Sequence, residues 1–130
     1  MHLKIITHER VVFDEDVDEI YTKAIDGEIG ILKNHVPLMT ALDIGVTKAV
    51  KDGNVKFFTT MGGVFQFKDD EALILTTTAE SGDEIDVTRA KAALTRAQAK
   101  LAEAEAETDA KRAEAAMARA MARLKATLNN

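Results

Sequence analysis

The sequence predicts an α+β protein: an N-terminal antiparallel β-sandwich, residues 1–84, followed by a C-terminal antiparallel two-helix hairpin, residues 85–130. Two observations support this prediction. All seven glycines, the single proline and all six aromatic residues lie at or before residue 82. Sixteen of the 44 residues from 87 to 130 are alanine, which is the strongest helix former. The composition therefore changes once along the chain, from turn-rich to helix-rich.

The first part of the chain carries short apolar runs rich in β-branched and aromatic residues, which are typical of strands. Asp52-Gly53 lies between two runs at the position of a tight hairpin turn, and Lys68-Asp69-Asp70 makes another break. Gly62-Gly63 within a strand pattern indicates a bulge or a close backbone approach. Closely spaced runs with no helical pattern between them predict a sandwich or barrel. The predicted strands are LKIIT, RVVF, VDEIYTKAI, GVTKAV, VKFFTT, GVFQF and ALILTTTA.

The segment DGEIGILKNHVP, residues 26–37, holds two glycines, the only proline and one of three histidines. Glycine reaches positive φ without strain, and proline fixes φ while removing a donor. The segment is therefore predicted to be a sharply shaped surface loop suited to making a contact.

The last part of the chain has the pattern of two amphipathic helices. Asp86 is placed to cap a helix beginning at Val87, and Thr108 or Asp109 to cap a second one. Apolar residues recur at steps of three and four, so each helix has one narrow apolar stripe. A short turn would let the helices pair as a hairpin whose alanines permit close approach. The stripe residues are Val87, Ala90, Leu94, Ala97, Leu101 and Ala104 in the first helix, and Met117, Met121, Leu124 and Leu128 in the second.

Composition also excludes several classes of function. There is no cysteine, and the three histidines are scattered, so neither a thiol nucleophile nor a metal site is predicted. The formal charge of -5 argues against nucleic-acid binding. No apolar run approaches the roughly 20 residues that span a bilayer, so any membrane link is expected through partners. No phosphate loop, Gly-x-Ser-x-Gly or paired-carboxylate pocket is evident, and an enzyme is not predicted.

Few large apolar side chains occur in the predicted hairpin, so its stability should depend on whatever it docks against. Two interpretations stay open on the residues alone. The hairpin is either a movable arm, for which marginal docking is suitable, or a permanently packed appendage.

The whole chain resembles the epsilon subunit of the bacterial F-type ATP synthase. The resemblance rests on the order of a small sandwich, GEIGILKNHVPLMTAL, TTMGGVFQF, and then IDVTRAKAALTRAQAKL leading into a second alanine-rich helix. It implies a non-catalytic rotor subunit at the cytoplasmic face of the bacterial plasma membrane. The sandwich would bind the gamma subunit and the c-subunit ring. The hairpin would swing between a folded state and an extended state that enters the alpha/beta catalytic head and inhibits ATP hydrolysis.

By the resemblance, the turns Gly27-Glu28-Ile29-Gly30 and Asn34-His35-Val36-Pro37 lie at the sandwich end that faces the c ring. The residues implied in c-ring contact are Asp26, Glu28 and His35. On the residues alone, an equally simple interpretation is that the glycines serve turn geometry and His35 packs locally.

Residues 110–130 carry five basic residues against one acidic, a net charge of +4. The resemblance implies that this helix meets an acidic segment of the beta subunits in the extended state, where opposite charge favours docking. The residues implied are Lys111, Arg112, Arg119, Arg123 and Lys125. Without that context, the basic residues would simply be a solvated face.

Some epsilon subunits bind ATP through an Ile-Asp-x-x-Arg-Ala motif, which this chain carries at residues 85–90. The implied ATP-binding residues are Glu80, Ile85, Asp86, Arg89, Ala90, Arg96, Arg119 and Arg123, with four arginines converging on the triphosphate. ATP would be a regulatory ligand, and no cofactor would be required. A rival hypothesis is a free-standing ATP-sensing module that uses the same residues without any rotor partner.

Overall fold

Residues 1–128, which are the ones that the computed structural model describes, form eight strands followed by two helices. The strands are β1 His2–Ile6, β2 Val11–Asp16, β3 Glu19–Ala24, β4 Gly27–Leu32, β5 Leu38–Lys51, β6 Asn54–Lys68, β7 Glu71–Leu75 and β8 Ala79–Ser81. A 3₁₀ turn, Gly82–Glu84, leads to helix α1, Val87–Glu103, and then to helix α2, Glu107–Thr127. The predicted α+β order, strands first and two helices after, is confirmed.

The strands are hydrogen-bonded in the order β2-β1-β7-β6-β5-β3-β4, with β8 joined to β6. The β1–β7 pair is parallel and the other pairs are antiparallel. β5 and β6 pair from Leu38 opposite Phe67 to Lys51 opposite Asn54. The first half of β6 also pairs with β8, and its second half with β7. This long hairpin therefore contributes to both layers of the sandwich.

The hydrophobic core belongs to the sandwich. Its cluster of buried residues comes from the strands and their connections, and no residue of α1 or α2 among the described residues belongs to it. The largest fully buried apolar side chains are Leu3, Ile5, Ile20, Ile31, Phe65, Phe67 and Ile74. The sandwich thus has a hydrophobic cluster of its own, to which the described part of the hairpin contributes no residue.

Gly62-Gly63 lies within β6, where φ is +77° and +114°. A Cβ built on Gly63 would lie 2.0 Å from the carbonyl oxygen of Leu75 and 2.8 Å from the Cα of Thr76. The predicted close backbone approach is confirmed: β6 reverses its pleat here, and the end of β7 packs directly on the glycine.

We expect Gly63→Ala to destabilise the protein by about 3 kcal/mol, because the methyl group meets backbone atoms and the φ angle is strained. Urea denaturation followed by circular dichroism measures the change. Gly53→Ala is the matched control, since its φ is also positive at +80° but no atom lies within 4 Å of the added Cβ. Equal losses in the two variants would contradict the close-approach explanation.

Several details of the strand prediction need correction. Gly27-Glu28-Ile29-Gly30 is not a turn; it is part of β4, which pairs with β3 along its whole length. The predicted runs VKFFTT and GVFQF are one continuous strand, β6. The turn at Asp52-Gly53 is confirmed, with φ of +50° and +80° as a tight two-residue hairpin requires.

The predicted start of α1 is confirmed and that of α2 is wrong. The Asp86 carboxylate accepts the backbone N–H of Arg89 at 3.0 Å. α2 begins at Glu107, after Ala106, and no side chain caps it. Acidic residues Glu107 and Asp109 in its first turn supply negative charge near the helix N-terminus instead.

The apolar stripe predicted for α2 is only partly buried. Met121 is 55% exposed and Leu128 is 77% exposed. The buried residues of α2 are instead alanines: Ala113, Ala120, Ala122 and Ala126. Small side chains allow α2 to approach both of its neighbours, and the larger side chains are left at the rim.

The hairpin is folded back onto the sandwich. α2 packs along α1 on one side and lies across β5 and β6 on the other. The division of the chain at residues 84 and 85 remains a prediction, although the separate core is consistent with it. Residues 129–130 of the predicted hairpin lie outside the described residues.

His2 on β1 lies between two carboxylates of β2. Its ring nitrogens pair with Asp14 and, at 2.7 Å, with Asp16. The hydrogen bond with Asp14, and then that with Asp16, raises the pKa of His2 above its usual 6.5. The same contact with His2 lowers the pKa of Asp16 below its usual 3.8.

This cluster should give the protein a pH-dependent increment of stability. The raised pKa of His2 adds to the free energy of unfolding below about pH 6.5. This contribution is lost as the pH rises through the pKa of His2 in the folded protein. The lowered pKa of Asp16 adds to the free energy of unfolding above about pH 3.8. This contribution is lost as the pH falls through the pKa of Asp16 in the folded protein. Between these limits we expect His2→Gln to lower the free energy of unfolding most, as measured by urea denaturation at pH 5 and pH 8. An equal loss at both pH values would contradict this explanation.

Candidate functional site

A cleft of about 500 Å³ lies between the sandwich and the hairpin. Its walls come from β8, the 3₁₀ turn, the start of α1 and the second half of α2. The residues that line it are Thr78, Glu80, Glu84, Ile85, Asp86, Arg89, Ala90, Ala93, Arg96 and Arg123. Seven of the eight residues predicted to bind ATP are therefore brought together; Arg119 is the exception.

Local structure fixes the acidic residues of the cleft. The backbone N–H of Glu80 donates to the hydroxyl of Thr59, a fully buried residue of β6, at 3.1 Å. The Asp86 carboxylate is held in place by its capping bond to α1. Arg89 and Ala90, in the first turn of α1, are positioned by the same cap.

One ion pair crosses the cleft. Arg123 of α2 donates its Nε–H to Glu80 Oε1 at 2.8 Å, and both side chains are 29% exposed. Partial burial makes such a pair stronger than one on the open surface. The contact joins the second helix directly to β8 of the sandwich.

The charges that line the cleft balance. Arg89, Arg96 and Arg123 face a set of three carboxylates from Glu80, Glu84 and Asp86. Within the described residues, neither Arg89 nor Arg96 has a carboxylate within 4 Å. These two guanidinium groups are therefore the ones available to an anion without breaking an ion pair.

Arg119 lies outside this cleft, so three of the four arginines that were predicted to converge line it. It lines a second cleft of about 580 Å³ near the bend of the hairpin, together with Arg112 and Lys100. Arg119 stands one turn before Arg123, which is about 6 Å along the helix axis. Acidic residues Glu103, Glu105 and Asp109 line the same cleft, so it is mixed in charge.

The basic residues of α2 are not all on a solvated face. Lys111 is exposed and pairs with Glu107 at 3.3 Å within the helix. Arg123 faces Glu80, and Lys125 Nζ lies 3.9 Å from Glu28 Oε1 on the edge strand β4. In the folded hairpin, two of the five residues predicted to meet the beta subunits therefore face the sandwich.

The three residues predicted to meet the c ring do not form one cluster. Asp26 lies in the turn before β4, Glu28 is the second residue of β4, and His35 follows the strand. The ends of a six-residue strand are roughly 17 Å apart. His35 Nδ1 lies 2.7 Å from the carbonyl of Val36, and its ring lies edge-on to Phe67 at 6.0 Å between centroids. These contacts fit the interpretation that His35 packs locally.

A surface that the sequence interpretation missed crosses the sheet on the side away from the core. Register places five apolar residues opposite one another on five neighbouring strands. Three of them are well exposed, at 50%, 48% and 40% for Val11, Leu75 and Val64. We name this set, in sheet order Val11, Ile6, Leu75, Val64 and Ala41, the apolar row. Its signal in the sequence is that runs such as Ile5-Ile6 and LIL are apolar at consecutive positions, hence on both faces of a strand.

Among residues 1–128, no group of histidine and carboxylate side chains is arranged to hold a metal ion. Within the same residues, neither helix combines the length and the apolar character needed to span a membrane.

Comparison with known proteins matches both parts of the chain. Residues 1–82 match the family model "ATP synthase, Delta/Epsilon chain, beta-sandwich domain", and residues 83–127 match "ATP synthase, Delta/Epsilon chain, long alpha-helix domain". The ATP synthase epsilon chain of Carboxydothermus hydrogenoformans is 44% identical over 100 residues, covering 77% of this chain and 75% of that one. That of Gloeobacter violaceus is 40% identical over 102 residues, covering 78% and 77%.

Solved structures share the fold. A chain of the Euglena gracilis mitochondrial ATP synthase assembly of OSCP, F1 and c-ring superposes with a TM-score of 0.84 at 24% identity, covering 98% of this chain and 80% of that one. A chain of the Tetrahymena thermophila mitochondrial ATP synthase central stalk and c-ring gives a TM-score of 0.65 at 16% identity, covering 98% and 96%. The same order of sandwich and hairpin thus occurs in both.

Proposed function

Because the chain belongs to the ATP synthase epsilon chain family, a non-catalytic component of a membrane-associated complex, we propose that it is a central-stalk subunit. Its sandwich would join the gamma subunit to the c ring at the cytoplasmic face of the membrane. Its hairpin would regulate ATP hydrolysis. The solved structures with the same fold come from assemblies that include a c ring, which supports this placement.

The proposal that the hairpin is regulatory rests mainly on one observation: no described residue of α1 or α2 belongs to the hydrophobic core of the sandwich. α2 is buried mainly through alanines, each of which contributes one methyl group, on the order of 0.8 kcal/mol. Among residues 1–128, the ion pairs that join the hairpin to the sandwich are Arg123–Glu80 and Lys125–Glu28. The second pair is exposed and is worth little. A unit held in this way can undock while the sandwich stays folded.

The undocked hairpin is the proposed inhibitory state. Undocking frees Arg123 and Lys125 from their carboxylate partners and adds them to Lys111, Arg112 and Arg119. The helix then presents its full positive charge to an acidic segment of the catalytic head. Charge complementarity of this kind speeds association and selects the partner.

The apolar row is the proposed gamma-binding surface. Soluble proteins seldom expose a contiguous apolar strip unless it makes a contact. The row lies on strands β2, β1, β7, β6 and β5, and Met39 extends it with 67% exposure. A sheet face is also rigid, which suits a joint that transmits torque.

The edge strand β4 and its flanking turns are the proposed c-ring contact. Asp26 precedes the strand, Glu28 lies on it with a 76% exposed side chain, and His35 follows it. Pairing with β3 along the whole of β4 gives this face a fixed shape. An exposed carboxylate there could pair with basic side chains in the polar loops of the ring.

ATP bound in the cleft is the proposed signal. Arg89 and Arg96 would bind the phosphates, while Glu80 or Asp86 would accept a hydrogen bond from the adenine amino group. The other predicted residues that line the cleft, Ile85, Ala90 and Arg123, would complete the site, and Arg119 would join only by reorienting. ATP that binds the docked hairpin alone stabilises it by RT ln(1 + [ATP]/Kd), about 2.7 kcal/mol at one hundred times Kd.

The regulatory proposal is tested by the distance between spin labels at residues 30 and 119 during an ATP titration. We expect two distance populations without ATP, and transfer to the shorter one at millimolar ATP. If millimolar ATP leaves the populations unchanged, ATP sensing is wrong and the inhibitory role is untouched. The rival free-standing ATP module predicts the same ATP response but no capture of the chain by purified gamma subunit.

A further inference from the structure

The loop between β1 and β2 is held rigid by one threonine. The hydroxyl of Thr7 accepts the backbone N–H groups of Glu9 and Arg10, each at 3.2 Å. The backbone N–H of Thr7 also donates to the carbonyl of Arg10 at 2.9 Å. The backbone from which the Arg10 side chain projects is therefore fixed by the sandwich.

Arg10 reaches both ends of the segment that connects the sandwich to α1. Its Nη2 donates to the carbonyl of Ala79, the first residue of β8, at 3.4 Å. The same nitrogen lies 3.1 Å from Glu84 Oε2, at the end of the 3₁₀ turn. The connecting segment 79–84 is thus tied at its beginning and at its end by one guanidinium group.

That segment sets where the hairpin starts. Glu80 within it pairs with Arg123, and Glu84 is two residues before the α1 cap Asp86. A change in the path of residues 79–84 would move the start of α1 and the carboxylate that holds α2. The position of residues 79–84 therefore determines where the docked hairpin lies on the sandwich.

We propose that Arg10 is a positioning residue for the regulatory arm: by tying residues 79–84 it favours the docked hairpin, and its loss raises the undocked population. The arginine and Glu84 are about half exposed, so the contribution of their charges alone is small. The effect comes from fixing the connecting segment. This inference rests on the proposed function in requiring that the arm undocks.

The test is Arg10→Gln in the full chain, with the spin-label distance between residues 30 and 119 as the first readout. We expect a roughly threefold higher undocked fraction and an unchanged melting temperature of the sandwich. Lys23→Gln is the matched control, because it breaks a surface pair of similar exposure, Lys23–Asp43 at 3.8 Å, away from the connecting segment. Glu84→Gln should act in the same direction, and the double variant should add little to either single one.

Hydrogen exchange at the amides of Glu80 and Ile85 is the second readout, since both are hydrogen-bonded within or beside the connecting segment. We expect both amides to exchange faster in Arg10→Gln than in Lys23→Gln. If neither the distance nor the exchange differs between the two variants, the positioning role of Arg10 is wrong. If the arm of the unmodified chain never undocks, the proposed arm movement fails, while faster exchange in Arg10→Gln still supports the role of Arg10 in holding the segment.

Discussion

Val64→Asp is expected to weaken capture of the chain by purified gamma subunit at least about 100-fold. The substitution places a charge in the middle of the apolar row, where binding would remove it from water without a partner. Val64 is 40% exposed and points away from the sandwich core, so the fold should tolerate the change. Surface plasmon resonance with immobilised gamma measures the loss, which corresponds to about 3 kcal/mol.

Val55→Asp is the matched control for this experiment. Val55 lies on the same strand, has the same side chain and is 37% exposed, but it is outside the apolar row. Full capture by Val55→Asp together with loss in Val64→Asp would support the row as the gamma-binding surface. Equal capture of both variants would place the gamma contact elsewhere. No capture of the unmodified chain would favour the free-standing module.

Arg89→Gln is expected to weaken ATP binding about 10- to 100-fold. A hydrogen bond to a charged group is worth about 1.5–3 kcal/mol, and each 1.4 kcal/mol is tenfold in affinity. Arg89 lines the cleft without a carboxylate partner in the described residues, so its guanidinium is available to a phosphate. Isothermal titration calorimetry of the full chain with ATP measures the change.

Lys111→Gln removes the same charge from the exposed face of α2 and is the control for Arg89→Gln. Lys111 pairs with Glu107 and is 72% exposed, away from the cleft. We expect its ATP affinity to match that of the unmodified chain. A similar loss of ATP affinity in both variants would mean that ATP binding depends on the overall charge of the protein and not on the residues of the cleft.

Features that depend on neighbouring residues were predictable from the sequence. The Asp52-Gly53 turn, the Asp86 cap and the clustering of residues 85–90 follow from backbone preferences within a few residues. The Gly62-Gly63 close approach was also indicated, because paired glycines within a strand have few other uses. The change from strands to helices was visible because it alters composition over dozens of residues.

Features that depend on register or on tertiary packing were not predictable in the same way. The two glycines of β4 favour a turn when the sequence is considered alone, and the strand forms because pairing with β3 stabilises it. The apolar row appears only when the pairing of five strands is known. The resemblance groups Arg119 with Arg123, but only packing shows that Arg123 lines the cleft and that Arg119 lines the second cleft near the bend of the hairpin. The role of Arg10 depends on two residues about 70 positions away.

On the proposed function, the hairpin undocks from a sandwich that remains folded. Native-state hydrogen exchange of the full chain, resolved by amide, tests it most directly. We expect the amides of α1 and α2 to open with a free energy several kcal/mol below that of the central strands β5 and β6, which exchange only through global unfolding. A single opening free energy shared by the helices and these strands would mean that the chain unfolds as one unit, and would contradict the account.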